Sequence, residues 1–248
     1  MTSALGTTGT ATVRAEAPAL EISGLTAGYG HITVLREVSL SVPPASVTAL
    51  IGPNAAGKTT LMRVASGLLR PAAGTVRMAG RDVTSVAPHR RARDGACLIP
   101  EGRAVYKSLT VRENLLMQAP KGQLGPAIES AASAFPILGK RLQQKAGTLS
   151  GGEQQMLALA AAYVRNPSLI LVDEVSLGLA PIVVDLIFEF LSEVARRGSA
   201  LLIVDQYVTK ALGLANHAYV LRRGEIVYDG EPARLLEGDL FERYLGTG

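Results

Sequence analysis

The residues best suited to chemistry lie in one stretch, Gly52-Pro53-Asn54-Ala55-Ala56-Gly57-Lys58-Thr59-Thr60. Two glycines five residues apart, followed by lysine and threonine, make a G-x-x-x-x-G-K-T pattern suited to holding phosphate. A loop poor in side chains turns its backbone N–H groups inward, and a helix that follows adds unpaired donors and the positive end of its dipole. Lys58 is then placed to reach β- and γ-phosphates, and the Thr59 hydroxyl to sit on Mg2+. The bland alternative is a glycine-bearing turn with no ligand. The flanks argue against it: Val47-Thr48-Ala49-Leu50-Ile51 reads as a buried strand and Leu61 to Leu69 as a helix. Strand, loop, lysine, threonine and helix in that order predict a nucleoside-triphosphate site.

Two further strings fit such a site. Leu169-Ile170-Leu171-Val172 is a buried-strand run ending in Asp173-Glu174. One carboxylate, Asp173, can hold Mg2+ through water, and the next, Glu174, can polarise an attacking water. A strand that merely ends in solvent-facing acids is the bland alternative. Ser150-Gly151-Gly152-Glu153, at the start of a helix read through Val164, is a second bare-backbone anion site with a hydroxyl under a helix dipole. One triphosphate has no use for two anion sites in one chain. Two copies facing head to tail do, each nucleotide lying between one copy's lysine loop and the other's Ser-Gly-Gly. An ordinary N-cap is the competing reading.

The elements that must position these groups alternate. Leu20 to Leu25 reads as an edge strand and Val34 to Val42 as another, ended by Pro43-Pro44. Between them Gly28-Tyr29-Gly30 holds an aromatic on a glycine-flanked turn. Gly74 to Gly80 is a short strand, and Ala96-Cys97-Leu98-Ile99 runs into Pro100-Glu101-Gly102-Arg103. From Thr110 to Leu142 the pattern is helical, with Thr110-Val111-Arg112-Glu113 as a capping box and Pro120, Gly122, Gly125 and Pro126 as punctuation. Pro181 to Ala195 reads as a helix, Ala200 to Val204 as a buried strand, and Ala218 to Leu221 with Glu225 to Tyr228 as a hairpin. This order predicts an α/β fold: a parallel sheet covered on both faces, antiparallel strands at one side, and a helical insertion between two halves of the core.

Composition narrows the class. The 248 residues are 48% hydrophobic and 19% charged, enough for a substantial core. No apolar run approaches the roughly 18 residues of a membrane span. Met1 to Ala19 lacks a signal peptide's apolar region and reads as a loose tail, so the expectation is a soluble, cytoplasmic chain. Net charge is +4, with His89-Arg90-Arg91-Ala92-Arg93 as the densest basic stretch. That run lacks interleaved aromatics and reads as a solvated helix face rather than a nucleic-acid patch, while mild positive charge suits a position near an anionic membrane surface. Cys97, the single cysteine, excludes an intrachain disulfide and reads as core packing. His31, His89 and His217 show no metal-ligand spacing.

Taken together, the motifs resemble those of the ATP-binding subunits of ABC transporters, over about Leu20 to Gly246. The resemblance implies a P-loop NTPase cassette: an ABC ATP-binding domain over 20–246, its RecA-like core interrupted by a helical subdomain at about 102–158, and a flexible tail over 1–19. It implies ATP and Mg2+ as cofactors. Tyr29 would stack on adenine, Gly52 to Thr59 form the Walker A loop, Glu101 stand at the Q-loop position, Ser150 to Glu153 form the signature, Asp173-Glu174 form Walker B, and Gln206 occupy the switch position. Ile99 to Arg103, Leu109 to Leu115, Leu149 to Met156, Ser176 to Pro181 and the ending Tyr244-Leu245-Gly246 are similar to the branched-chain amino-acid uptake ATPases, more to the shorter of that system's two ATPases than to the longer. Urea and short-amide importers share the branch.

The implied partners are a second ABC ATPase (a heterodimer, with a homodimer as the alternative), two transmembrane permease subunits and, indirectly, an extracytoplasmic binding protein, with no nucleic acid. The implied location is the cytoplasmic face of the membrane. The sequence departs from the family at Ala55, where glycine is usual, at Val175, where proline is usual, and at Gln206, where most members have histidine. Asp205 and Tyr207 are also unusual, and both Glu101 and Gln206 are shared with the sub-branch. A residue wrapped around the β-phosphate at position 55 is expected to take φ above zero. The rival functions are a soluble ABC ATPase of DNA repair or translation, disfavoured by the lack of a coiled coil between Glu101 and Leu149, and a regulatory module that binds ATP and hydrolyses it poorly.

Overall fold

A computed structural model of the chain describes residues 16–102 and 104–237. Most of the expected tail, Arg103 and the Tyr244-Leu245-Gly246 ending therefore lie outside the described residues. The chain opens with an antiparallel hairpin, β1 (Leu20–Tyr29) and β2 (Ile32–Val42). The buried strand β3 (Val47–Ile51) then leads into helix α1 (Lys58–Ser66). Next come β4 (Ala73–Met78), β5 (Arg81–Asp82), α2 (Pro88–Arg93) and β6 (Ala96–Ile99). Three helices follow, α3 (Val111–Gln118), α4 (Leu124–Ala134) and α5 (Pro136–Lys140), and then the longer α6 (Gly151–Tyr163). The last third holds β7 (Leu169–Asp173), α7 (Pro181–Arg196), β8 (Ala200–Val204), α8 (Val208–Leu214), the hairpin β9 (His217–Arg222) and β10 (Glu225–Gly230), and α9 (Pro232–Leu236).

Two sheets result. A six-stranded sheet runs β10-β9-β3-β8-β7-β6, parallel except for β10, and a separate antiparallel sheet runs β2-β1-β4-β5. Strands β3, β7 and β8 are buried at every residue, the mark of a sheet covered on both faces. Alternate residues serve alternate faces. Ile170, Val172, Leu201 and Ile203 face a cluster shared with α3, α6 and α7. Leu169, Leu171, Leu202 and Val204 face one shared with α1 and the antiparallel sheet. Phe190 of α7 packs against Phe135 with the rings tilted by 41° and meets the Tyr163 ring edge-on, tying the helical segment to α6 and α7. The helices between β6 and α6 are at most 11 residues long, too short for a coiled coil.

Two local expectations change. Leu20–Leu25 does not lie at an edge: β1 sits between β2 and β4, with Ile22 opposite Val76. Half-buried alternation is the same for an interior and an edge strand of an antiparallel sheet, so pairing with a distant segment was invisible in it. Helix α1 begins at Lys58, capped by Gly57, rather than at Leu61, and ends at Gly67 in the left-handed region. The capping box Thr110/Glu113 is present as expected.

In the basic stretch His89, Arg90 and Arg93 are exposed, as a solvated face requires, and one residue departs from that reading. Arg91 is buried, not solvated. Its guanidinium donates to the carbonyls of Val64 (2.9 Å) and Ala65 (2.7 Å) at the end of α1, and to those of Val86 and Thr84. It closes the C-terminus of the helix that starts in the phosphate loop, where a cation also suits the helix dipole. Four carbonyls share one planar donor fork, so Arg91→Ala should destabilise the chain by on the order of 3 kcal/mol. Thermal unfolding should show a drop of roughly 6–12 °C for a chain of this size. Arg91→Lys should recover less than half of it, because one ammonium cannot reach all four acceptors.

Candidate functional site

The parallel register sets the site. With Ile99 beside Val172 and Asp173 beside Val204, the loops after β6, β7 and β8 emerge at the same edge as the loop after β3, the edge where α/β sheets take ligands. A cleft of about 540 Å3 opens there, lined by Asn54, Ala55, Gly57, Lys58, Thr59 and Thr60 together with Glu101, Glu174 and Gln206, and by Val34 and Leu177. Residues chosen from four separate stretches, the phosphate loop and those of Glu101, Glu174 and Gln206, thus meet around one space.

The phosphate loop is shaped by its neighbours. Gly52 has φ 156°, and a Cβ there would stand 2.0 Å from the Leu221 carbonyl oxygen. Gly57 has φ 110°, and a Cβ would come within 2.7 Å of Leu35. The Ala56 N–H donates to Pro53 O at 3.2 Å, and the Ala56 carbonyl accepts from the Gly224 N–H at 3.0 Å. Gly224 in turn accepts from the Arg36 N–H at 2.8 Å. The turn of the β9–β10 hairpin therefore clamps the loop from behind, a contact that Arg222-Arg223-Gly224 does not reveal in sequence. Ala55 takes φ 62°, the left-handed conformation expected for it. The Lys58 ammonium donates to the carbonyls of Gly52 (2.8 Å) and Pro53 (3.0 Å) and so lies across the loop. Burial lowers its pKa, opposed by Glu174 and Asp173.

Asp173 lies just behind the cleft, buried at the end of β7, and accepts from the Thr59 hydroxyl at 3.4 Å. Burial pushes its carboxyl up to about 6; the Thr59 hydrogen bond works against this, while Glu174 and Glu101 add to it. Glu174 follows in the left-handed region, φ 49°, with its N–H on Val204 O at 2.8 Å. The strand pairing thus continues one residue past β7 while the chain turns.

Tyr29 and the Ser150 string are not among the residues lining the cleft. Tyr29 is exposed at the end of β1, its hydroxyl accepting from Arg63 of α1 at 3.2 Å. Ser150 is exposed and caps α6: its Oγ accepts from the Glu153 N–H (3.3 Å), while the Glu153 carboxylate accepts from the Ser150 N–H (2.8 Å) and pairs with Arg141 at 3.2 Å. The bland reading of that string is therefore present as geometry. Gly152 also has a packing reason, since a Cβ would come within 2.9 Å of Val183. Sequence reasoning left Val34 and Leu177 out of the cleft, and nothing local in either residue marks it. Cys97 is half-buried and packs against the core, as its core-packing reading implied, burial pushing its thiol up to about 11.

The family model described as ABC transporter matches residues 35–176. The chain belongs to the ABC transporter ATP-binding family. It is 40% identical over 222 residues (88% of this chain, 95% of the relative) to the high-affinity branched-chain amino acid transport ATP-binding protein BraG of Pseudomonas aeruginosa. It is 37% identical over 223 residues (88% and 94%) to a probable branched-chain amino acid transport ATP-binding protein, LivF, of Archaeoglobus fulgidus. The lipopolysaccharide export system ATP-binding protein LptB of Acidithiobacillus ferridurans matches at 32% over 233 residues (92% and 96%). Among solved structures, the ADP conformation of an ATP-binding cassette of an ABC transporter superposes with TM-score 0.78 at 28% identity, covering 91% of this chain and 97% of that one. The chain is an ATPase subunit of the ABC type, a nucleotide-binding protein.

At φ 62° Ala55 carries a cost on the order of 1–2 kcal/mol that glycine would not. Ala55→Gly should tighten Mg-ATP binding by up to about tenfold, allowing for glycine's extra freedom in the empty loop. Calorimetric titration of both proteins checks this; equal or weaker binding by the glycine variant would show that the loop carries no strain there.

Proposed function

We propose that this chain is the ATP-hydrolysing subunit of an importer for branched-chain amino acids, at the cytoplasmic face of the membrane. The observation that carries the hydrolytic part is the meeting of Lys58, Glu174 and Gln206 around one cleft, with Thr59 bonded to Asp173 beneath. In this reading the loop N–H groups of residues 52–60 and Lys58 hold the β- and γ-phosphates, and Tyr29 stacks on adenine. Thr59 and Asp173 would hold Mg2+. A hydroxyl and a carboxylate converging from two elements are the hard oxygen donors this ion takes, and Mg2+ held there would supply positive charge against the phosphates. Glu174 accepts the proton of the attacking water at its carboxylate, and Gln206 and Glu101 orient groups near the γ-phosphate.

Ser150, Gly151, Gly152 and Glu153 would serve the nucleotide of a facing ATPase, which accounts for their place outside this chain's own cleft. A capping-box serine can still offer its hydroxyl outward. The second ATPase is read as the longer subunit of the pair, giving a heterodimer, with a periplasmic-type binding protein delivering substrate outside. Tyr106, and Leu116 and Met117 of α3, are exposed, the Tyr106 N–H donating to Asn114 of the same helix. They suit a face that docks permeases. Among the described residues no helix is long and apolar enough to cross a membrane.

The substrate follows from likeness to the two branched-chain relatives, with urea and short amides as the competing cargo. In cells lacking this chain, uptake of labelled leucine should fall while urea uptake persists; the reverse would move the chain to the other cargo. Glu174→Gln should keep nucleotide affinity and lose about 10²–10⁴-fold in turnover, whereas Lys58→Ala should weaken binding roughly 10–100-fold by removing a charge-assisted contact to phosphate. A Glu174→Gln protein with most of the wild-type rate would remove it as the base, and unchanged affinity in Lys58→Ala would undo the assignment of the loop.

A further inference from the structure

Asp205 is a buried carboxylate to which the hydrolytic scheme gives no role. It stands between the last residue of β8 and Gln206. Its Oδ2 accepts from the Ser176 N–H at 3.2 Å, and its Oδ1 accepts from both the Ser176 hydroxyl and the Tyr207 N–H, the latter at 3.0 Å. Ser176, itself fully buried, lies two residues past Glu174. Glu174 is held on the same side by its N–H on Val204 O at 2.8 Å. A single carboxylate therefore ties the loop that carries Glu174 to the loop that carries Gln206, and both of those side chains line the cleft.

Three donors, the N–H and O–H of Ser176 and the N–H of Tyr207, meet acceptors on both oxygens of the Asp205 side chain. An amide in its place would turn an N–H donor toward at least one of the three. Glu174 also needs an external hold, because φ 49° is a conformation an L-residue leaves when its surroundings allow it. We propose that Asp205 is a positioning residue for hydrolysis: through Ser176 and Tyr207 it fixes Glu174 and Gln206 relative to each other, without itself touching nucleotide. This rests on the reading of Glu174 as the group that accepts the water's proton.

The test uses the full chain assembled with its permeases and paired ATPase, the paired ATPase carrying its own inactivating substitution so that turnover reports on this chain's site. Asp205→Asn should lower kcat for ATP about 10–100-fold, the scale of a small misplacement of a reacting group, with KM and nucleotide affinity within twofold of wild type. Ser176→Ala should lower kcat to a similar extent, and Asp205→Asn with Ser176→Ala should be no worse than the more damaging single change, because both remove one connection. Wild-type kcat in Asp205→Asn, losses that multiply in the double variant, or KM rising in step with a fall in thermal stability would each overturn the proposal. Glu174→Gln run alongside separates the two claims. If it keeps turnover, the reading of Glu174 fails; if it is inactive while Asp205→Asn and Ser176→Ala are both at wild-type kcat, the positioning role alone fails.

Discussion

The direction in which the phosphate loop's backbone N–H groups point depends on one close approach. Gly52 lies so near the Leu221 carbonyl that no side chain fits, and the Ala56 carbonyl is held by the Gly224 N–H. The loop is thus gripped between its own strand and the β9–β10 hairpin, which also holds β2 through Arg36. Polar backbone inside a fold must find partners, and here the partners come from behind the loop, leaving its inner donors for a ligand. At the far end of α1, Arg91 donates to the carbonyls of Val64 and Ala65 in the last turn. The segment between, from Gly52 to Gly67, is fixed at both ends by residues distant in sequence.

The parallel sheet then acts as a ruler. Register places the ends of β6, β7 and β8 level with the end of β3, so loops with no sequence proximity share one edge. Burial differs among them in a way that suits their proposed roles. Asp173 is enclosed and its carboxyl raised, with Thr59 as its hydrogen-bond partner, while Glu174 is turned by a left-handed backbone into the open cleft. Adjacent acids thus acquire different surroundings from one peptide step. Ser150 is exposed and does not line this cleft.

What was legible in the sequence was local. The phosphate loop, the buried runs of β3, β7 and β8, and the capping box at Thr110 each depend on residues a few positions apart. The left-handed backbone at Ala55 was legible for the same reason, since a tight wrap demands it. What was hidden was non-local. Nothing in Leu20–Leu25 tells which strands flank it, and nothing in His89–Arg93 tells that the third residue of the run faces the end of α1. Asp205 looked merely unusual, and its use appears only when Ser176 is brought beside it from another loop. The glycines of the Ser150 string carried a double meaning that spacing could not separate, because Gly152 also admits Val183.

The central claim is that one chain holds half of each nucleotide site, the phosphate loop binding its own ATP and Ser150 to Glu153 completing the site of a facing ATPase. Hydrogen exchange of the Glu174→Gln chain with saturating Mg-ATP tests it most directly, across protein concentration and with the second ATPase of the same transporter added. Amides of residues 52–60 should be protected at every concentration, and those of 150–153 only as the second ATPase, or a second copy, is supplied. Protection of 150–153 that follows nucleotide occupancy regardless of protein concentration, or none with both ATP and the second ATPase saturating, would contradict the account.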